Sequence, residues 1–316
     1  MTNLEANSLD TREPLLEGSR SGPWPRCESA AEPICGSDVS RDLSPNMPKG
    51  VALREVVRSR NGRSETLLDH IAEEVPIALI YNDQPFAVMM ATPADVEDFA
   101  RGFSLTESIV ANAGELLAID HRELLEGHEV RITIPAERAE ALATRRRNLT
   151  GRSGCGMCGT EMLEAAMREP PRVPTNDTHI TSEALQRALA QLPQHQPINA
   201  LTGATHAAAF ADLDGNIVLA REDIGRHNAL DKLIGAMSAQ ALDPAHGFAV
   251  VTSRASYEIA TKAAAAGIAC IAAVSAPTAL AIATAAQCNV RLIGFARGGA
   301  FVEYSRSGPS EGNHRA

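Results

Sequence analysis

Phe248-Ala-Val-Val-Thr252, Ala269-Cys-Ile-Ala-Ala-Val274 and Val290-Arg-Leu-Ile-Gly-Phe295 are apolar runs of strand length, separated by stretches that read as helices over residues 256–266 and 277–287. Strands this uniformly apolar, alternating with helices, belong to a sheet covered on both faces, and the pattern predicts a largely parallel one. The alternation extends upstream. Residues 226–237 read as a helix, and residues 206–210 and 216–221 as a hairpin over the turn Asp212-Leu-Asp-Gly215. Thr181 caps a helix reaching about residue 192, and residues 300–304 supply a last short strand. The same alternation argues against a membrane span. Residues 263–290 hold no charge between Lys262 and Arg291, but they are mostly alanine and are interrupted by Gly267, Pro277, Gln287 and Asn289.

Before residue 150 the periods change. Residues 76–81 and 85–90 are apolar, partly β-branched runs around Asn82-Asp83, which predicts a hairpin. Thr92-Pro-Ala-Asp95 offers an N-cap, a proline at the first helical position and acid in the first turn. The helix it opens carries Val96, Phe99, Phe103 and Ile109 on one side. Residues 116–119 and 130–134 read as two more strands, and Pro135 opens a charged helix over residues 136–147. The expected organisation is a disordered tail over residues 1–49 and a small α+β domain over 50–150. A loop over 151–178, rich in glycine and proline and holding a short helix at 161–168, then leads to an α/β domain over 179–306 and a tail over 307–316.

At 316 residues the chain has length for about two domains. Its 44% hydrophobic and 22% charged content is that of a soluble globular protein. A formal charge of −10 and only 3% aromatics argue against nucleic acid as a partner, so an anionic ligand must meet a local basic or backbone site. Six cysteines in this length do not make a disulfide scaffold. The first thirty residues show no secretory signal, so a reducing cytoplasm is expected. Cys27 and Cys35 fall in the tail at a spacing that matches no common zinc motif.

Three segments carry candidate chemistry. Cys155-Gly-Met-Cys158, flanked by Gly154, Gly156 and Gly159, leaves two thiols sterically open, and Arg152 or the neighbouring thiol lowers a thiolate pKa. The arrangement suits thiol exchange, sulfur carriage or metal ligation. A structural zinc site needs two more ligands, and no second C-x-x-C exists; a thioredoxin-type motif wants its first cysteine at a helix start. Arg221-Glu-Asp-Ile-Gly-Arg-His-Asn228 packs ionisable groups at a strand-to-helix turn, where α/β sheets bind ligands, unless Asp223 merely caps the helix. His206 opens a strand after Thr202-Gly-Ala-Thr205. Phe295-Ala-Arg-Gly-Gly-Ala300 follows an apolar strand; its glycines allow an anion-binding nest and Arg297 adds a phosphate-matching fork, or else the segment is a tight turn between edge strands.

Thr92-Pro-Ala-Asp-Val-Glu-Asp-Phe-Ala100, Cys155-Gly-Met-Cys-Gly159, Thr202-Gly-Ala-Thr-His-Ala-Ala208, Glu222-Asp-Ile-Gly-Arg-His-Asn-Ala229, Ser275-Ala-Pro-Thr278 and Gly294-Phe-Ala-Arg-Gly-Gly299, in that order, resemble the FdhD/NarQ family, the sulfur carriers required for formate dehydrogenase activity. The resemblance covers residues 77–304 and implies a cytoplasmic sulfurtransferase. It would take sulfur as a persulfide from a cysteine desulfurase and pass it to the molybdenum cofactor, bis(molybdopterin guanine dinucleotide), before insertion into formate dehydrogenase. By the same resemblance Cys155 carries the persulfide, Cys158 assists or resolves, and Phe295, Ala296, Arg297, Gly298, Gly299 and Ala300 bind the cofactor, with no resident metal. It also implies a C-terminal three-layer α/β/α mixed sheet similar to the cytidine deaminase fold, and a homodimer with neither nucleic acid nor membrane as partner. Ala204 and Ala300 depart from the family pattern, where glycine and larger polar residues are common. Two other readings are weighed. A zinc deaminase needs H-x-E followed by P-C-x-x-C, whereas His206 is followed by Ala207 and Ala208 and the cysteine pair precedes it. A non-catalytic chaperone would bind cofactor and dehydrogenase without any thiol. The roles of His206, Asp223 and His227 are left open by the sequence.

Overall fold

The computed structural model describes residues 47–150, 170–174 and 180–306, the side chains of residues 145–150 excepted. The segment carrying Cys155 and Cys158, the helix expected over 161–168, the chain up to residue 46 and the chain from residue 307 lie outside the described residues. Residues 170–174, with their three prolines, form no regular element.

Strands β1 (Val51–Arg60) and β2 (Arg63–Ala72) form an antiparallel ribbon that reverses at Asn61-Gly62. Both turn residues have positive φ, +53° and +76°, as a two-residue primed turn requires. Its base is held by Val51, which packs with Ala94 and Ile198. Strands β3 (Val75–Tyr81) and β4 (Gln84–Ala91) are the expected hairpin, with Asn82 and Asp83 both at positive φ. Strands β5 (Ala118–Leu124) and β6 (Gly127–Thr133) complete a four-stranded sheet of order β4-β3-β6-β5, in which β3 and β6 are parallel.

Helix α1 (Val96–Thr106) lays Val96, Phe99 and Phe103 on this sheet; Ile109 joins the same cluster from beyond the helix end. The helix does not begin as the sequence predicts. Its N-cap is Asp95, at φ +54° and without a side-chain capping bond. Thr92 is held elsewhere: its amide donates to Asp223 Oδ2 at 3.0 Å, and its Oγ1 accepts from the Ile224 amide at 3.1 Å. A charged helix α2 (Ala136–Thr150) follows β6 as expected.

Helix α3 (Ser182–Gln191) starts on Thr181, whose Oγ1 accepts from the Ala184 amide, and a short α4 (Pro197–Thr202) follows. Strands β7 (His206–Asp212), β8 (Ile217–Asp223), β9 (Gly247–Val251), β10 (Cys270–Ala273), β11 (Arg291–Arg297) and β12 (Ala300–Ser305) make a sheet of order β12-β11-β10-β9-β7-β8. The prediction of a largely parallel sheet is corrected here. Within this six-stranded sheet, among the described residues, only the β9–β10 and β10–β11 ladders are parallel. The β7–β8 and β11–β12 pairs are hairpins, whose short turns permit antiparallel pairing alone, and β7 also opposes β9. The result is a mixed α/β architecture. Helices α5 (Arg226–Ala239), α6 (Tyr257–Ala265) and α7 (Ala279–Gln287) cover one face and α3 the other. Along β9, Ala249 and Val251 serve the first side, Phe248 and Val250 the second.

The second face of α1 packs along α5. A Cβ on Gly102 would collide with the carbonyl oxygen of Asp231, and one on Gly235 with that of Asp98, so glycine alone permits this approach. Polar groups close the junction. Lys232 Nζ lies 2.7 Å from Asp223 Oδ2, both side chains wholly buried, and donates to the Thr92 carbonyl at 2.9 Å. Lys262 Nζ reaches both Asp231 oxygens at 2.9 Å and Thr106 Oγ1 at 3.0 Å. No described helix is long and apolar enough to cross a membrane.

Candidate functional site

Strand direction gathers the candidate residues on one edge of the six-stranded sheet. There β8 ends at Asp223, β9 at Val251, β10 at Ala273 and β11 at Arg297, and β7, antiparallel to its neighbours, begins at His206. The chain then passes within a few residues from β8, β9 and β10 into α5, α6 and α7, so three helix N-termini open on this edge. Ser256 Oγ and Thr278 Oγ1 cap α6 and α7 by accepting the Ile259 and Ala281 amides. Helix α5 is capped by Gly225, with no side-chain bond.

The charged cluster at 221–228 divides into two sets. Arg221 pairs with Asp98 at 2.8 Å. Glu222 accepts from the Ile198 and Asn199 amides and from Thr205 Oγ1, each at 2.8 Å, and so fixes the start of α4. Asp223 is saturated by Thr92, Lys232, the Gly225 amide at 2.7 Å and Asn228 Nδ2 at 3.1 Å. It is a buried structural group; the α5 cap is Gly225. Arg226 and His227 are left on the edge beside His206.

These three are electrostatically coupled. Burial lowers the His206 pKa, and the Arg226 charge lowers it further against the pull of Asp223. Burial takes His227 down to about 4; Glu258 works against this, while Arg226, Lys262 and His206 add to it. Neutral His227 therefore sits with Nε2 2.7 Å from Glu258 Oε2 and 3.2 Å from Ser256 Oγ. The Arg226 Nε is closed to solvent and has no hydrogen-bond partner. Sequence reading did not connect His227 with Ser256 and Glu258, which lie on another helix with no linear signal between them.

At the far end of the edge, Phe295 to Ala300 form the β11–β12 turn. Arg297 pairs with Ala300 across it, and Gly298 and Gly299 have φ +60° and +80°. The segment is thus a tight hairpin, its glycines required by conformation rather than by crowding. Phe295 has φ +52° at a β-bulge, a conformation that costs a bulky residue roughly 1–2 kcal/mol. Its ring is 38% exposed, with the Arg297 guanidinium 6.0 Å from the ring centre. Ala296 is wholly buried, in the core cluster on the α3 side. Cys270, at the opposite edge, is buried, which pushes its thiol up to about 12; burial raises Cys288 as well. Among the described residues no group of three or more His, Cys, Asp or Glu side chains is placed to hold a metal ion.

The architecture is that of a mixed α/β protein, with a polar edge of strand ends and helix starts where open α/β sheets place their ligands. The family model for the FdhD/NarQ family matches residues 72–309, and the chain belongs to that family. The sulfur carrier protein FdhD of Xanthomonas euvesicatoria pv. vesicatoria (strain 85-10) is 57% identical over 269 residues, covering 85% of this chain and 94% of that one. The protein of the same name from Cupriavidus necator is 50% identical over 262 residues, covering 82% and 89%. Among solved structures, a candidate formate dehydrogenase accessory protein from Desulfotalea psychrophila superposes with a TM-score of 0.62 at 20% identity, over 81% of this chain and 96% of that one.

Proposed function

We propose that this chain is a cytoplasmic sulfur carrier that receives sulfur as a persulfide on Cys155 from a cysteine desulfurase and delivers it to the guanine dinucleotide form of the molybdenum cofactor, destined for formate dehydrogenase. The observation that carries this reading is the distribution of the six cysteines. Cys27 and Cys35 precede the family-matched region. Cys270 and Cys288 are buried with raised pKa values. Cys155 and Cys158 are left, inside the matched region and at the spacing of an exchanging pair.

The chemistry balances without a resident metal. The Cys155 thiolate attacks the outer sulfur of the donor's persulfide; a new S–S bond forms on Cys155 and the donor cysteine leaves as thiolate. The Cys158 thiolate then attacks the inner sulfur of the Cys155 persulfide and expels hydrosulfide towards molybdenum, a thiophilic metal. The two electrons come from the cysteine pair, which becomes a disulfide and is reset by a thiol reductant. The cofactor is cargo, and the Phe295–Ala300 hairpin is where its nucleotide part would meet Arg297 and two glycine backbones. The sheet covered on both faces accords with a cytidine-deaminase-like ancestry, and a homodimer fits the same reading.

The test is intact-mass analysis after incubation with a desulfurase and cysteine. The wild type should gain about 32 Da, one sulfur atom. Cys155→Ala should stay folded, gain none and leave formate dehydrogenase inactive in a cell lacking its own copy. Full complementation by that variant would overturn the carrier mechanism in favour of a binding chaperone.

A further inference from the structure

The Arg226 guanidinium and its two neighbouring imidazoles, at the other end of the edge, are left unused by the sulfur chemistry. His206 stands opposite Asp223 in the β7–β8 ladder, and Arg226 and His227 form the first turn of α5 three and four residues later. The local carboxylates are committed. Asp223 is saturated by Lys232, Thr92, Gly225 and Asn228, and Glu258 engages His227 alone of the three. Arg226 Nε is shut off from water without an acceptor, which for a charged donor is unfavourable unless a ligand supplies one. Burial lowers the protonation of both imidazoles, and the Arg226 charge beside them lowers it further. A bound anion removes both penalties at once.

We infer that His206, Arg226 and His227 form an anion subsite for a phosphate or diphosphate group of the nucleotide cargo. Arg226 supplies the charged fork, and the two imidazoles gain protons as the anion enters. This rests on the proposed function and deepens it. His206 lies three strands from β11 and its hairpin, and Arg226 and His227, which follow β8, lie four. At ordinary strand spacing that is about 14–19 Å, so an extended dinucleotide would reach both hairpin and subsite while a lone phosphate would not. The charged and titratable groups facing His206 are Arg226 and Asp223; those facing His227 are Glu258, Arg226, Lys262 and His206. An anion that raises either imidazole pKa must itself bind more tightly as pH falls.

The full chain is titrated by calorimetry with inorganic pyrophosphate and, separately, with GDP, at about pH 5 and pH 8, because both imidazoles start below the ordinary histidine range. The wild type should bind pyrophosphate, more tightly at the lower pH. Arg226→Gln should weaken it tenfold or more, and His206→Gln should reduce the pH dependence. Should Arg226→Gln fail to fold, Arg226→Lys, which keeps the charge and loses the fork, should still weaken binding severalfold. Arg297→Ala should leave pyrophosphate affinity unchanged. Absence of pyrophosphate binding by the wild type, or equal binding by the Arg226 variants, overturns the subsite. If pyrophosphate binding depends on Arg226 while GDP adds no affinity, the subsite stands and the guanine nucleotide cargo falls. Persulfide loading of Cys155 is followed in every variant and reports on the carrier reading independently.

Discussion

Asp223 receives four donors, from Thr92, Gly225, Asn228 and Lys232, and nothing in the linear sequence separates it from its neighbour Glu222, which organises a different helix. Removing the carboxylate leaves the wholly buried Lys232 ammonium with only the Thr92 and Glu222 carbonyls. Asp223→Ala should therefore cost about 3–5 kcal/mol in urea unfolding, and adding Lys232→Met should restore much of it, because the orphaned charge is the main penalty. Equal losses in the single and double variants would show that the pair is not what matters. His227 gives a pH signature. Its folded pKa lies near 4, below the ordinary histidine value of 6.5. Between the two values the unfolded chain binds more protons than the folded one, so stability is full above the upper value and declines as pH falls towards the lower. His206 is shifted in the same direction. Urea midpoints measured on either side of this window should differ less in His227→Gln than in the wild type; an unchanged difference would argue against a neutral, buried imidazole.

At the scale of elements, Gly102 and Gly298 make a useful contrast. Space around Gly298 is open and only its positive φ resists a side chain, so Gly298→Ala should cost about 1–2 kcal/mol, the left-handed penalty. Gly102 sits against the Asp231 carbonyl, so Gly102→Ala must push α1 off α5 and disturb the Lys262–Asp231 and Lys232–Asp223 pairs below. It should lower the thermal midpoint more than Gly298→Ala does; the reverse order would refute the tight crossing. Elements with local signals were legible in the sequence: the 248–252, 269–274 and 290–295 strands, the Thr181 cap and the Asn82-Asp83 hairpin all stand close to where their patterns put them. The β1–β2 ribbon was not, because charges on both of its faces, such as Arg54 and Glu55, leave no apolar period. Its Asn61-Gly62 turn was the available signal. Sheet direction was overestimated as parallel because alternation reports helices between strands and not how the 206–221 hairpin joins the sheet, with β7 antiparallel to β9. Of the site, the neighbourhood of His206 and Arg226 follows from the β7–β8 hairpin, whereas the His227–Glu258 contact depends on tertiary packing. The cysteine pair was legible as chemistry and lies outside the described residues.

For the molecule as a whole, composition and patterning divide the folded chain near residue 150, which would let the two sheets unfold separately. The packing argues for coupling. Helix α1 belongs to the four-stranded sheet through Phe99 and Phe103, yet its other side lies along α5, part of the layer that covers the six-stranded sheet. The polar contacts across this junction are buried: Thr92 to Asp223 and Lys232, and Thr106 to Asp231 and Lys262. Separating the sheets would strand these groups, at about 1–3 kcal/mol for each unsatisfied neutral group and more for each charge. Such a penalty is comparable with the whole stability of a typical domain, so an intermediate with one sheet folded should be scarcely populated. The expected result is one calorimetric transition with calorimetric and van't Hoff enthalpies in agreement, and a common opening free energy for the most protected amides of β3 and β9 in native-state hydrogen exchange. Lys262→Met leaves Asp231 buried without its cation and should shift both strands together. Two resolved transitions, or β3 amides opening well before those of β9 in the wild type, would show that the two sheets are independent folding units.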